Sequence, residues 1–177
     1  MGTLALLLIL AVIQGLTEFL PVSSSGHLVL ARELLPGGEK LSSDASVEVL
    51  LHIGTLLAVI VFYRREILQL ALGLLGRGSD PLMQRKLFGF LVLGSLPAAL
   101  IGLTLEKQIG EIFSHPAFAA SAILVTGGVL FWSRRLPANG PDLRHLTMRL
   151  ALVVGIAQAI AILPGISRSG ATIVTGM

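Results

Sequence analysis

The chain has 177 residues, of which 54% are hydrophobic and only 13% are charged, and its mean hydropathy is +0.87. Because soluble domains average about 25% charged residues, this composition indicates a membrane protein and excludes an ordinary water-soluble domain. The net charge of +3 does not indicate nucleic-acid binding, since the basic residues lie in short loops between apolar segments. The absence of cysteine excludes disulfides and thiol chemistry.

The apolar segments differ in length, and a helix needs roughly 17 to 25 residues to cross the hydrocarbon core of a bilayer. Three segments predict such spans: 47–63, 87–105 and 117–132. Segments 4–20 and 150–163 are too short or too interrupted, because the first contains Glu18 and both stop at a proline. No Lys or Arg precedes segment 4–20, so we interpret it as a retained membrane segment, with a removed signal peptide as the alternative. Residues 67–75 predict a short interfacial or packed helix.

The charges of the connecting loops predict the orientation. Residues 64–86 carry five Lys or Arg residues and residues 133–149 carry four, whereas residues 106–116 carry one. The positive-inside rule therefore puts the first two loops in the cytoplasm and the third outside. The same rule then places residues 31–46 outside the membrane. Arg32 is counted among the charges of this loop.

The two interrupted segments resemble each other. Residues 11–30 read AVIQGLTEFLPVSSSGHLVL, and residues 154–174 read VGIAQAIAILPGISRSGATIV. Each has a glutamine, an apolar run, Leu-Pro and a serine-rich turn with glycine, although the match needs a one-residue gap. Three spans separate the copies, so the second copy is inverted relative to the first, as in proteins whose sites lie near the midplane on broken helices.

The sequence thus predicts an all-α polytopic membrane protein with an inverted-topology repeat and re-entrant helix pairs. Residues 1–177 form a single membrane domain, with repeat one at about 1–105 and the start of repeat two at about 117–177. The first copy turns at 23–26 and the second at 167–170, entering from opposite sides. Because non-helical backbone at this depth must be buried or wet, the two turns are expected to face each other across a polar cavity.

Polar side chains in the first copy are candidates for chemistry. A carboxylate at the centre of a spanning helix costs roughly 2.5–3.5 kcal/mol, so Glu18 is a functional candidate, with Gln14 on the same helical face. The alternative is a structural hydrogen bond between re-entrant helices. His27 follows the hydroxyls of residues 23–25 and can act as a base, an acid or a nucleophile. A packed histidine with satisfied nitrogens is the alternative.

In the second copy, Arg168 is embedded between apolar runs and flanked by serines. Its fork of donors suits phosphate oxygens, and the backbone N–H groups of a helix that starts at Ser167–Gly170 would face the same anion. An ion pair with Glu18 across the repeat interface is the alternative. Glu48 and His52, one helical turn apart, are weaker candidates that border the cavity or lie at a solvated helix end.

Two motifs in these copies resemble the undecaprenyl-diphosphate phosphatases of the bacitracin-resistance type. The first is QGLTEFLPVSSSGH at 14–27, and the second is PGISRSGAT at 164–172. The intervening residues 47–67 are also similar to that family. Members of the family are longer, so the chain is expected to lack the C-terminal third, which leaves its own activity open.

The resemblance implies a hydrolase that converts undecaprenyl diphosphate to the monophosphate lipid carrier of cell-wall synthesis. It implies a multi-pass protein of the bacterial plasma membrane, with its active site open to the outer side and a divalent cation, Mg²⁺ or Ca²⁺, as cofactor. The expected partners are a polyprenyl diphosphate and membrane lipids, and no nucleic acid is expected. The resemblance leaves open whether the protein forms a homodimer. A transporter or flippase with the same inverted repeat is the alternative.

Site residues follow by position. The catalytic candidates are Glu18, Ser24, His27 and Arg168. The substrate-binding candidates are Ser23, Ser25, Gly26, Ser167, Ser169, Gly170 and Thr172. Glu18 is the candidate metal ligand or the residue that orients His27, and Gln14 occupies a variable Glu/Gln position, so its role as a metal ligand is in doubt. The nucleophile is either Ser24, activated by His27, or His27 itself.

Overall fold

The computed structural model describes residues 2–38, 45–113, 115–136 and 146–177, without the side chains of residues 45 and 46. These parts of the chain are helical and contain no strand, which confirms the all-α prediction. The helices are α1 (Thr3–Thr17), α2 (Ser24–Leu34), α3 (Ala45–Phe62), α4 (Arg64–Leu74), α5 (Pro81–Thr104), α6 (Glu106–Phe113), α7 (Pro116–Ser133), α8 (Met148–Ile160) and α9 (Arg168–Gly176). Much of the predicted loops 31–46 and 133–149 lies outside the described residues.

The predicted spans correspond to α3, α5 and α7. By length and apolar composition, α5 and α7 can each cross a membrane. Helices α3 and α4 meet the same criteria only together, as a pair bent by 73°. Helix α5 begins at Pro81, before the predicted residue 87. Asp80 caps the helix by accepting a hydrogen bond from the Met83 amide at 3.1 Å, and proline is favoured at the first helical position. The short helix predicted at 67–75 is α4.

Helices α1 and α8 are short, with 15 and 13 residues. At 1.5 Å per residue they are about 20 Å long, less than the roughly 30 Å of a bilayer core. Each is followed by a turn and a second short helix that packs back against it, α2 on α1 and α9 on α8. These two pairs are the broken helices that the sequence predicted.

The prediction that Arg32 is a loop charge is wrong. Helix α2 continues to Leu34, and Arg32 is buried in it, 3.0 Å from the Glu48 carboxylate on α3. Burial of a charge requires a partner, and Glu48 supplies one. The ion pair ties α2 to α3 beside the first turn.

Helices α5 and α8 make the most extensive packing among the described elements, and two glycines permit their approach. A Cβ atom added to Gly155 would lie 2.5 Å from the carbonyl oxygen of Gly94, which is fixed backbone. Small residues at such crossings let transmembrane helices approach closely.

We therefore expect Gly155→Val to destabilise the protein by about 1–3 kcal/mol, as overpacking of a tight interface does. Thermal unfolding in detergent, followed by circular dichroism, measures the effect. Gly127→Val is the matched control, because a Cβ atom there meets nothing within 4 Å. Equal melting temperatures for the two variants would contradict the assignment of Gly155 to a close helix crossing.

Candidate functional site

The two turns have the same local hydrogen bonding. Ser23 caps α2, and its Oγ accepts from the Gly26 amide at 3.3 Å. Ser167 caps α9, and its Oγ accepts from the Gly170 amide at 3.0 Å. The extra residue in the second copy is accommodated at Gly165, whose φ of +93° lies in the region that favours glycine. The structure thus pairs position 23 with 167 and position 26 with 170.

Hydroxyl pairs repeat in the same register. The Oγ atoms of Ser23 and Ser25 are 3.4 Å apart, and those of Ser167 and Ser169 are 3.1 Å apart. In this register Ser24 and Arg168 occupy equivalent positions in the first turn of their helices. The repeat therefore presents a hydroxyl from one copy and a guanidinium from the other.

The two turns touch each other. A Cβ atom on Gly26 would lie 2.7 Å from the Cα atom of Gly165, so only glycine allows this approach. Ser169 Oγ also donates a hydrogen bond to the Leu20 carbonyl at 3.0 Å. These contacts confirm that the two predicted turns meet.

Helix α7 supports the second turn. Thr126 Oγ1 donates to the Gly165 carbonyl at 2.8 Å and accepts from the Ser167 amide at 3.3 Å. Both bonds are buried, so they satisfy backbone groups that have no water available. No sequence pattern indicates this role of Thr126, because it depends on packing between distant segments.

A polar cavity of about 150 Å³ lies between the turns. Its polar lining comes from residues 18 and 23–25 of the first copy, from Glu48 and His52 on α3, and from residues 167–169 of the second copy. The structure thus brings together Glu18, Ser24 and Arg168 as predicted. It also supports the cavity interpretation of Glu48 and His52 over the solvated helix end.

Glu18 and Ser24 form the closest pair in the cavity. Glu18 Oε2 accepts a hydrogen bond from Ser24 Oγ at 2.5 Å and one from Gln14 Nε2 at 2.9 Å. A carboxylate that accepts the proton of a hydroxyl is the arrangement of an activated oxygen nucleophile. Gln14 is buried behind Glu18 and holds its carboxylate in place.

His27 lies outside the cavity lining. Its Nδ1 is 2.8 Å from the Ser23 carbonyl oxygen, which can only accept, so Nδ1 carries the proton. His27 therefore braces the backbone of the first turn, and its side chain makes no hydrogen bond with Ser24 among the described contacts. Thr172 also lies outside the lining, and its hydroxyl donates to the Arg168 carbonyl at 2.9 Å.

Arg168 lines the cavity without an ion pair among the described residues. The alternative ion pair between Arg168 and Glu18 is not observed among the described residues of this structure. The guanidinium of Arg168 is exposed and available to an anion.

The donor set can be compared with what a divalent cation needs. Among the described residues, no three His, Asp or Glu side chains converge on one point. Mg²⁺ is commonly held by one or two carboxylates together with substrate phosphates, so the Glu18 carboxylate fits a substrate-bridged ion. Gln14 is less suited, because its amide nitrogen faces Glu18 and its Oε1 is buried without a partner in the described part of the chain.

A second cavity, of about 550 Å³, adjoins the first and shares four of its residues: Glu18, Glu48, His52 and Arg168. The rest of its lining is largely apolar and comes from one face of α3, including Val49, Ile53, Leu56 and Val59. An open apolar groove therefore extends from the polar site along α3.

The fold and the site define a helical membrane protein with a polar, anion-compatible site between two broken helices. Residues 7–177 match the family described as bacitracin resistance protein BacA. The chain belongs to this family.

Similar proteins named undecaprenyl-diphosphatase occur in several organisms. The protein of Syntrophotalea carbinolica is 43% identical over 166 residues, which cover 94% of this chain and 62% of that protein. The protein of Rhodopirellula baltica is 42% identical over 99% of this chain and 63% of its own length. The protein of Korarchaeum cryptofilum is 42% identical over 96% and 64%. The chain thus spans somewhat under two thirds of the relatives it matches.

Proposed function

We propose that the protein carrying this chain hydrolyses undecaprenyl diphosphate to undecaprenyl phosphate, the lipid carrier of cell-wall synthesis. The observation that carries the proposal is that one cavity is lined both by the Glu18–Ser24 pair and by Arg168, which has no ion pair among the described residues. The name undecaprenyl-diphosphatase, carried by the similar proteins, supports the same reaction. Membership of the family leads us to expect a plasma-membrane protein whose site opens to the outer side.

The chemistry assigned to these residues is phosphoryl transfer in two steps. Ser24 Oγ attacks the terminal phosphorus and passes its proton to Glu18, while the bond from that phosphorus to the bridging oxygen breaks and polyprenyl phosphate leaves. Water then attacks the phosphorus of the phosphoserine and the bond from phosphorus to Ser24 Oγ breaks. Glu18 returns its proton to Ser24 Oγ, and the hydrogens of the water leave with inorganic phosphate. Phosphoryl transfer depends mainly on positioning and on charge neutralisation, for which Arg168 and the N-termini of α2 and α9 are suited.

Two further parts of the substrate site follow from the same geometry. Glu18 would hold a divalent cation, Mg²⁺ or Ca²⁺, which would supply positive charge against the phosphates of the substrate. The apolar cavity along α3 suits the first isoprene units of the lipid tail, since it begins at Glu18 and Arg168.

The nucleophile is tested by trapping the phosphorylated protein. With a substrate radiolabelled on the terminal phosphate, we expect an acid-stable phosphoserine at Ser24, because among the described hydroxyls it is Ser24 Oγ that hydrogen-bonds to Glu18. Ser24→Ala is expected to abolish both label and phosphate release. His27→Ala is expected to slow the reaction, since the turn loses its brace, without moving the label.

Ser121→Ala is the matched control, because this hydroxyl bonds only the Phe118 carbonyl of its own helix. An acid-labile, base-stable label that disappears in His27→Ala would assign the attack to His27 instead. Movement of the lipid between vesicle leaflets without phosphate release would favour the transporter alternative.

A further inference from the structure

The guanidinium of Arg32 is buried behind the polar cavity and directed at Glu48. Arg32 is only 6% exposed, and its Nη1 lies 3.0 Å from Glu48 Oε1. Its Nε and Nη2 atoms are buried without a hydrogen-bond partner in the described part of the chain. Within those residues, the positive charge of Arg32 is therefore matched by one carboxylate.

Glu48 belongs to the site itself. It lines both the polar cavity and the apolar groove along α3. Apart from His52, the charged lining of the polar cavity consists of two carboxylates, Glu18 and Glu48, and one guanidinium, Arg168. Such a lining has an excess of negative charge, which opposes the binding of an anion. Arg32, placed behind Glu48, removes this excess.

Arg32 does not reach the cavity, so any effect on a bound anion passes through Glu48. The alternative is that the ion pair serves only to hold α2 against α3. Buried ion pairs add little stability compared with neutral side chains of similar size, so folding alone gives no reason for two charges here. A carboxylate beside an anion site gives one, because charges interact strongly where water is largely excluded.

We propose that Arg32 is a positioning residue that sets the affinity of the site for diphosphate by neutralising Glu48, without touching the substrate. The identity of the diphosphate as a lipid headgroup rests on the proposed function. The effect on anion affinity does not, because it requires binding alone and no hydrolysis.

The experiment compares two variants that break the same ion pair with opposite changes in charge. The probe is methylenediphosphonate, a diphosphate analogue that is not hydrolysed, and its Kd for the detergent-purified protein is measured by calorimetry. Arg32→Gln exposes the charge of Glu48 and is expected to weaken binding by roughly tenfold or more. Glu48→Gln removes that charge and is expected to bind the probe at least as tightly as wild type.

The double variant Arg32→Gln/Glu48→Gln tests for rescue. It restores the charge balance without the ion pair, so its Kd should return close to the wild-type value. The matched controls are Arg149→Gln and Glu33→Gln, which change the same charges at exposed positions and should leave the Kd unchanged. Thermal unfolding checks that each variant is folded. If Arg32→Gln alone fails to fold, Glu48→Gln and the double variant decide.

Three outcomes would overturn the proposal. Weaker binding in Glu48→Gln as well would show that the ion pair acts by holding α2 against α3. Unchanged affinity in a folded Arg32→Gln variant would show that Arg32 has no influence on the site. Absence of methylenediphosphonate binding to the unmodified protein would remove the anion site altogether. If binding follows the expected pattern but the lipid diphosphate is not hydrolysed, the proposed function fails and the role of Arg32 stands.

Discussion

Replacing Arg168 with alanine is expected to lower kcat/KM for the polyprenyl diphosphate by about 10³–10⁵-fold, the range for an arginine that neutralises a transferring phosphoryl group. Within the described chain, Arg168 is the one Lys or Arg that lines the polar cavity. Its guanidinium has no protein partner there, so the substrate is the interaction that the variant loses. Initial rates of phosphate release from the lipid in detergent micelles measure the effect.

The conservative variant separates charge from geometry. Arg168→Lys keeps the positive charge but loses the planar fork that grips two phosphate oxygens, so we expect a rate between those of wild type and Arg168→Ala. Arg149→Ala removes an exposed arginine at the start of α8 and is expected to leave the rate unchanged. A rate for Arg168→Ala within tenfold of the Arg149→Ala rate would remove Arg168 from the diphosphate site.

The stability of Arg168→Ala provides a second readout. Since no ion pair is broken in the described structure, the melting temperature of the variant should match that of wild type. A large fall in melting temperature would indicate that the arginine serves folding rather than binding.

The spans and the two turns could be predicted because their signals are local. Helix length follows from the length of an apolar run, and a proline or a serine with glycine marks where the run is interrupted. The shared pattern of the two copies also predicted their contact. The two turns make this contact where the backbones of Gly26 and Gly165 approach so closely that no side chain fits between them.

The sequence named His52 as a weaker candidate than His27, and its greater proximity to the cavity could not be predicted in this way. His27 is adjacent to the serines in sequence, but its ring turns back to the Ser23 carbonyl and stays outside the cavity lining. His52 reaches the cavity from α3, a helix whose position depends on its packing against α1. Sequence proximity is a poor guide when a site is assembled from helices that are distant along the chain.

Arg32 shows the same limit for charge. Counting loop charges treats each basic residue as exposed, whereas Arg32 lies within α2 and pairs with Glu48 on α3. The distinction depends on whether a carboxylate from another helix is within reach. That is a tertiary property, and neither the hydropathy nor the spacing of Arg32 encodes it.

Glu18→Gln is expected to lower kcat by about 10²–10⁴-fold, the usual contribution of a general base. Glutamine has nearly the same shape, but it cannot take the proton of Ser24 Oγ, whose hydrogen bond to Glu18 is the shortest in the cavity. Rates are measured at saturating substrate and saturating divalent cation, so weaker binding of either does not account for the loss. Glu33→Gln, which alters an exposed carboxylate on α2, is the matched control and should keep the wild-type rate.

The double variant Glu18→Gln/Ser24→Ala decides whether the two residues act as one unit. When two groups serve a single step, the rate losses from removing each of them are strongly non-additive. Once one group is removed, the other no longer contributes to the rate. We therefore expect the double variant to be no slower than Ser24→Ala alone. Losses that multiply would mean that Glu18 and Ser24 act independently. The 2.5 Å hydrogen bond between them would then hold the turn rather than transfer a proton.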